Sequence, residues 1–581
     1  MNGTTNNFYS FGKQVLAGTK ALKTARLSSF RKVFSLLSKK EKIVLAVLGL
    51  LAFVTLFISL RNLYLNQTLA APGFGGNYTE GLKGQPVYIN PILAFSETDL
   101  SLTRLVYSGL YKYNAEGSLV PDLAESLPEI SEDQKQYTIN LKKNVKWHND
   151  RTLTAEDVIF TFQILKDQGF KSPNRNAWLS TSVEKLSDYT VKFTTKDVAG
   201  PFLPNLTQPI LPKFVWNRTD AASFPLSENN LKAVGTGPYL IKEIKKSNGE
   251  IQSISLNSFS NYFETRPKID TLTFKFYESD ESLFNALHSG QIQGFGFTGT
   301  GELKTDPTKK SEAGKFSLAI PQYQMLYFNL NNKFLKDLGL RQVLSKTVDQ
   351  NTIISTAFNS QAQKPNLSVF KNLSLELDLS SNFDLETAKN ELETLGWIVD
   401  PGTGFRTKKT EILELNLTTN DLPANVKTAE IISNAWQSLN IKVNLQVLPT
   451  KQISEEIIRP RTFDALILSQ KFSEDPDPFA LWHSSQIKDP GINITGLEDT
   501  EIDKLLTEGR TTTNSQIRKN KYEEFYSLFL SKTPAVFITQ AQYVYFLDTK
   551  VKNFQRTSLL EPSYRFFGVN EWYIEERRIW K

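Results

Sequence analysis

The chain contains no cysteine among its 581 residues. That absence excludes disulfide scaffolds, thiolate nucleophiles, iron–sulfur clusters and cysteine-built zinc sites. It also excludes a lipoprotein anchor, because a diacylglycerol group needs a cysteine to attach to. Histidine is nearly as scarce: His148, His288 and His483 are the full set, too scattered to suggest a metal centre. Nor does a charge of one sign run through the chain. Residues 1–60 hold nine Lys/Arg and one acid, Glu41, which leaves 58 basic against 60 acidic residues beyond them. So balanced a body does not suggest a partner in nucleic acid. No internal repeat stands out, which argues against solenoids and propellers. What is present is apolar and aromatic: 40 % hydrophobic residues, including 39 Phe, 20 Tyr and 8 Trp, supply ample core and exclude intrinsic disorder.

The one long hydrophobic run is Ile43–Leu60, 18 residues without a charge. As a helix it spans about 27 Å, close to the thickness of a bilayer core. All nine basic residues of the leader precede it, so the positive-inside bias places the N-terminus in the cytoplasm and the following residues outside. Residues 1–42 then read as a basic cytoplasmic tail, 43–60 as a transmembrane anchor and 61–76 as a linker ending in Phe74-Gly75-Gly76. A cleaved signal peptide is the rival reading, and Leu69-Ala70-Ala71 is small enough for a signal peptidase. Against it, the apolar run exceeds the usual ~7–15 residues and a long segment precedes it.

Beyond the leader, helical and strand periods alternate. Tyr137, Ile139 and Leu141 alternate with polar residues as in a half-buried strand. Thr154 offers an N-cap with Asp157 three residues on, before a helical face of Ala155, Val158, Ile159, Phe162 and Leu165. Ala429, Ile432, Trp436 and Leu439 form a second helical face, and Asn440 a stop suited to the left-handed conformation. Ile441, Val443, Leu445 and Val447 then predict a strand, and Phe463–Leu468 another. Such units build mixed α/β lobes.

A scan for catalysis returns little. There is no G-x-S-x-G elbow, P-loop or H-E-x-x-H. Gly294-Phe-Gly296-Phe-Thr-Gly299 matches a dinucleotide fingerprint by letter, but Pro307 would cut short the helix it needs, and it reads as a flexible glycine loop. His148 reads as a structural residue. The most concentrated acidic site is Glu474-Asp475-Pro476-Asp477, which follows a buried-looking strand. Its carboxylates suit general acid–base work or a ligand ammonium, and the segment equally suits a solvated turn.

Several segments together resemble the bacterial extracellular solute-binding proteins of family 5, the dipeptide- and oligopeptide-binding components of ABC importers. The most specific is Leu105–Leu165, with "LVYSGLYKYN", "PDLAESL", "YTINLKKNVKWHND" and "TAEDVIFTF". Gly235-Thr-Gly-Pro-Tyr239, Arg266-Pro-Lys-Ile-Asp270, Ala286-Leu-His-Ser-Gly-Gln-Ile292, Tyr327-Phe-Asn329, Leu340-Arg-Gln342, Asn440-Ile-Lys-Val443 and Phe463-Asp-Ala465 before Asp475-Pro476 continue it in order. The resemblance implies an α/β, periplasmic-binding-protein-like fold of class II with three lobes. Lobe Ia would hold 77–112, 233–322 and 541–581, lobe Ib 113–232 and lobe II 323–540. The hinge would be crossed near Gln322–Asn331 and again near Gln542–Leu547, closing the lobes over a ligand.

The same resemblance implies that Tyr327, Asn329, Gln470, Phe472, Glu474, Asp475 and Asn90 line the ligand cleft, with Pro91 beside Asn90 and Trp482 as a further wall. It implies no catalytic residue, metal or cofactor. The partners would be a peptide or other small solute, and ABC permease and ATPase subunits on separate chains. One departure matters: dipeptide binders carry an aspartate for the peptide α-ammonium three residues before the Asp-Pro-Asp triplet, where this chain has Phe472. Phenylalanine makes no ion pair, so Glu474 or Asp475 would have to take over. Competing readings are a family 5 receptor for a metal complex or oligosaccharide, a surface hydrolase using Glu474 and Asp475, and a chaperone-like surface protein.

Overall fold

The computed structural model describes residues 37–581 except 115–116, 170–171, 173–174, 199, 201 and 300–312. Residues 1–36 of the basic tail, and the stretch after the glycine run that contains Pro307, therefore lie outside the described residues. The chain divides into two compact units. One holds the leader to Pro72 together with Glu576–Lys581, and the other is the body, Gly73–Glu575.

In the first unit the apolar run lies in a single helix, Lys39–Gln67, with no buried residue. Its start is a reciprocal cap: Ser38 N–H donates to Glu41 Oε2 (2.8 Å) and Glu41 N–H to Ser38 Oγ (3.4 Å). Within the run Thr55 turns its hydroxyl onto the Leu51 carbonyl at 2.7 Å, so that this hydroxyl is satisfied inside the helix. The helix passes Leu60 by seven residues, so the first part of the segment expected as a linker is helical. Thr68–Pro72 continues as a strand, antiparallel to Glu576–Trp580, with Thr68 opposite Trp580 and Pro72 opposite Glu576.

The body is organised by one large mixed sheet. Its two central strands, Ala313–Phe328 and Ala535–Asp548, run antiparallel and are shared by both halves. On one side follow Gly294–Thr298, Asn77–Lys83, Thr271–Tyr277, Glu250–Ser258 and Tyr239–Ser247; on the other Ala465–Lys471, Glu414–Asn420 and Lys442–Leu448. The ladder between the central strands breaks between Ala319 opposite Gln542 and Tyr323 opposite Gln540, and its register shifts again between Gln324 and Met325. Pro321 lies in that break and has no N–H to give. The segments expected as hinge crossings, Gln322–Asn331 and Gln542–Leu547, lie on or run off the ends of these two strands, and the break falls just before the first. A separate four-stranded sheet, Glu129–Ile130, Gln136–Asn140, Thr190–Thr195 and Thr181–Ser187, forms the inserted third lobe.

Local expectations mostly hold. Thr154 opens the helix Ala155–Lys166 and its N–H donates to Asp157 Oδ2 at 3.0 Å; Val158, Phe162 and Leu165 are buried, with Phe162 packed on Trp178 and Phe193. The second helix, Pro423–Ser438, buries Ala429, Ile432 and Trp436, and Asn440 takes φ 61° as its stop. The strand expected from Phe463 starts at Ala465. The glycine run is a correction: Gly294–Thr298 is a strand, not a flexible loop. It packs so close that a Cβ on Gly296 would lie 2.3 Å from the Tyr543 ring.

His148 has a structural role. Its Nε2 lies 3.0 Å from the Gly237 carbonyl, and Gly235 N–H donates to Nδ1 at 3.3 Å. The bond accepted at Nδ1 needs the neutral ring, and burial lowers its pKa to about 4, which the bond to Gly237 only partly offsets. The unfolded chain therefore takes up a proton that the folded one refuses as pH falls below the ordinary histidine value. Up to about 3 kcal/mol of stability is expected to be lost between pH 6.5 and 4 through this residue. Urea denaturation across that range checks it: His148→Gln should show a flatter pH dependence than the parent.

Candidate ligand-binding cleft

The acidic segment leaves the sheet at the end of strand Ala465–Lys471, beside the break between the crossings. Phe472 comes first. Its N–H donates to the Pro321 carbonyl at 2.8 Å, and its ring packs against Tyr323 (centroids 5.0 Å), Phe370 (6.5 Å) and Phe537 (6.4 Å). Phe472 is buried, so the place of the dipeptide binders' aspartate is the floor of an aromatic box. Next to this box, around Lys371 and Ser558, lies a cavity of about 550 Å³.

Three carboxylates follow within four residues, and two are neutralised from helix Ser515–Lys532 and the helix before it. Arg518 grips Asp475 in a two-pronged pair, Nη1 to Oδ2 at 2.6 Å and Nη2 to Oδ1 at 2.5 Å, with both side chains buried. Arg518 is itself held by the Gly509 carbonyl at 3.2 Å and the Tyr522 hydroxyl at 3.1 Å. Asp477 faces Arg510 Nε at 3.0 Å and accepts from the Tyr522 hydroxyl at 3.2 Å. Burial raises its pKa against the pull of Arg510. Asp475 also turns the loop, accepting from Asp477 N–H at 3.0 Å.

Glu474 points the other way. Its Oε1 accepts a short hydrogen bond from the Tyr564 hydroxyl, from the segment that follows the return crossing. The Arg104 guanidinium, from helix Glu97–Val106, stacks over the Tyr564 ring at 4.2 Å. Burial pushes the Glu474 carboxyl above its ordinary range, with Arg104 and the Tyr564 hydroxyl pulling it back. The buried Tyr113 hydroxyl close by has no partner among the described residues. A carboxylate of one lobe thus faces an aromatic and cationic wall of the other.

The lobes also touch away from Glu474. Gly200 N–H donates to the Arg510 carbonyl at 2.8 Å, and Thr513 donates to Gln134 Oε1 through its N–H (3.1 Å) and hydroxyl (2.7 Å). A Cβ on Gly200 would sit 2.5 Å from the Thr512 carbonyl, so the approach depends on glycine. The lobes are closed on one another.

The other residues singled out from sequence are placed differently. Tyr327 is buried, stacked on Trp482 at 6.2 Å, with its hydroxyl on Met325 Sδ at 3.4 Å. Asn329 ties the strand end to the Arg461 and Phe463 carbonyls at 3.1 and 2.7 Å. Asn90 bonds Asn230 Oδ1 at 3.0 Å and accepts from Ile92 N–H at 3.1 Å, while the Pro91 carbonyl accepts from Gln208 at 2.8 Å. Gln470 is half-buried and donates to the Lys471 carbonyl at 2.9 Å. Asn90, Tyr327 and Asn329 therefore give their polar atoms to the framework, while Glu474 is bonded to Tyr564 and Phe472 is packed in its aromatic box. Arg104, Tyr113, Tyr564 and Arg518 carry no local sequence signal and were not singled out.

The profile describing bacterial extracellular solute-binding proteins, family 5 (middle region), matches residues 118–489. The oligopeptide-binding protein AppA of Bacillus subtilis is 26 % identical over 552 residues, covering 92 % of this chain and 99 % of AppA. The solved structure of Bacillus subtilis AppA with a nonapeptide superposes with a TM-score of 0.63 at 25 % identity, covering 87 % of this chain and all of that one. The ABC transporter substrate-binding protein CtaP of Listeria monocytogenes superposes with a TM-score of 0.72 at 24 % identity, covering 86 % of this chain and all of CtaP.

The Arg518–Asp475 pair makes a test of the loop. Arg518→Met leaves a buried carboxylate alone and is expected to cost about 3–5 kcal/mol of stability. Adding Asp475→Asn, which removes the charge but keeps the turn acceptor, should recover most of that loss in chemical denaturation.

Proposed function

Because the chain belongs to the bacterial extracellular solute-binding proteins of family 5, we propose that it captures peptides by hinge closure and delivers them to an ABC importer. The importer's membrane and ATPase subunits are separate chains. The family is extracellular or periplasmic, and its members named above are binding proteins rather than enzymes. Helix Lys39–Gln67, with 29 residues and no buried side chain, serves as an uncleaved single-pass anchor with its N-terminal end in the cytoplasm.

The observation that carries the site assignment is the asymmetry of the acidic loop. Arg518 and Arg510 engage Asp475 and Asp477, and Glu474 alone faces the opposite lobe. Glu474 accepts the peptide ammonium in place of the aspartate that Phe472 replaces, and the Phe472 box receives an apolar side chain. Acid–base hydrolysis by Glu474 and Asp475 fits less well, since Arg518 occupies both carboxylate oxygens of the buried Asp475.

Titration calorimetry of the protein with a short-peptide set tests the reading. Glu474→Gln keeps the bond to Tyr564 and removes the charge, so affinity is expected to fall by about 10- to 100-fold, the worth of a charge-assisted bond. Because the raised pKa of Glu474 lies above the ordinary carboxylate range, peptide affinity should also fall as mild acid protonates it, and Glu474→Gln should abolish that dependence. Unchanged affinity in the variant would sink the assignment.

A further inference from the structure

The C-terminal strand has a place in the fold that solute capture does not require. It pairs along its whole length with Thr68–Pro72, directly after the apolar helix. Arg578 also closes the end of that helix. Its Nη2 donates to the Leu65 and Thr68 carbonyls at 3.0 and 2.9 Å, its Nε donates to Thr68 Oγ1 at 2.7 Å, and Lys581 N–H donates to the Gln67 carbonyl at 3.0 Å. The last turn of the helix holds no basic residue of its own, so its open carbonyls are met by this strand.

The same pairing fixes the depth of Trp580. Its ring meets the Tyr64 ring edge-on at 5.9 Å. Tyr64 lies four residues beyond Leu60, about 6 Å along the helix axis, which is the width of one interfacial zone beyond the hydrocarbon core. Trp580 is nonetheless 71 % exposed, and every residue of its strand is exposed. A large indole left open beside the end of an apolar helix, next to a tyrosine, is the arrangement of a membrane-interface belt. The strand carries Arg577 and Arg578, followed by Lys581, against one acidic side chain, Glu576. Arg577 and Lys581 form no ion pair among the described residues, which leaves both cations open to an anion.

We propose that the C-terminal strand is a lipid-binding element that seats Trp580 among the headgroups around the end of the anchor and holds anionic phospholipid through Arg577 and Lys581. The proposal rests on the anchor reading given under the proposed function. It adds that the chain's end, and not the helix alone, engages the bilayer. Processing after Ala71 would remove most of the strand's partner and the carbonyls that Arg578 caps.

The full chain in nanodiscs tests it, made of phosphatidylcholine alone or with phosphatidylglycerol. The Trp580 signal is the difference in emission between the parent and Trp580→Phe. Expected is a blue-shifted emission quenched by lipids brominated near the headgroup, with stronger quenching when phosphatidylglycerol is present. Arg577→Glu with Lys581→Glu, whose side chains are exposed and take no part in the helix cap, should remove the difference between the two lipid mixtures. Protease protection of residues 43–60 is read in parallel. Protected helix with unshifted, unquenched Trp580, or quenching indifferent to lipid charge and to the double variant, overturns the proposal and leaves the anchor standing. Digestion of the helix overturns both.

Discussion

The body depends on two strands that cross between its halves and on the wide interruption in the ladder between them at Pro321. Below Ala319 the pairs belong to one half of the sheet and above Tyr323 to the other. A continuous ladder would make the sheet one stiff plate. With Pro321 at the break, a donor is already missing, and the backbone turns there without breaking a bond it had made. The free carbonyl of Pro321 is taken by Phe472, so the segment that opens the acidic loop is fastened to the hinge itself. Rotation at the hinge and position of the loop are therefore linked by one hydrogen bond and one aromatic box.

That link explains the arrangement of charge. Three carboxylates within four residues repel one another and would splay the loop if left alone. Two arginines that reach them from the segment 510–518 remove that repulsion, and the fork of Arg518 fixes the plane of Asp475 as a point charge would not. A buried pair of this kind adds little net stability against apolar packing, but removing one partner is costly. Its role is positional: with Asp475 and Asp477 held toward helix Ser515–Lys532, Glu474 is left on the side facing Tyr564.

How much of this was legible follows the range of each interaction. The helix from Ala155, the stop at Asn440 and the apolar helix were readable because cap, period and run length act within a few residues. The two central strands were singled out only through resemblance, since a strand shared by two lobes has no periodicity of its own. Asn90 and Asn329 were expected at the cleft, yet a sequence does not say whether an amide meets a ligand or a carbonyl such as that of Phe463. The glycine run misled because Gly296 is set by Tyr543, a ring 247 positions away that no local pattern announces. Tyr564 and Arg104 were invisible for the same reason. They meet Glu474 only after three separate segments have folded together.

The partner that Glu474 has in the closed body is a neutral one, and that choice has a physical consequence. A lysine at position 564 would satisfy the carboxylate with a full charge and compete with any ligand ammonium on equal terms. A tyrosine hydroxyl gives a hydrogen bond without an opposing charge, so an ammonium that replaces it gains the charge-assisted part of the interaction in a poorly solvated site. Arg104 prevents the burial of Glu474 from becoming prohibitive, and its stacking on the Tyr564 and Phe567 rings keeps it on the far side of the tyrosine. Burial still leaves the Glu474 pKa above its ordinary range, and the cation that opposes that rise does so without gripping the carboxylate, which leaves the acid open to a cation from outside.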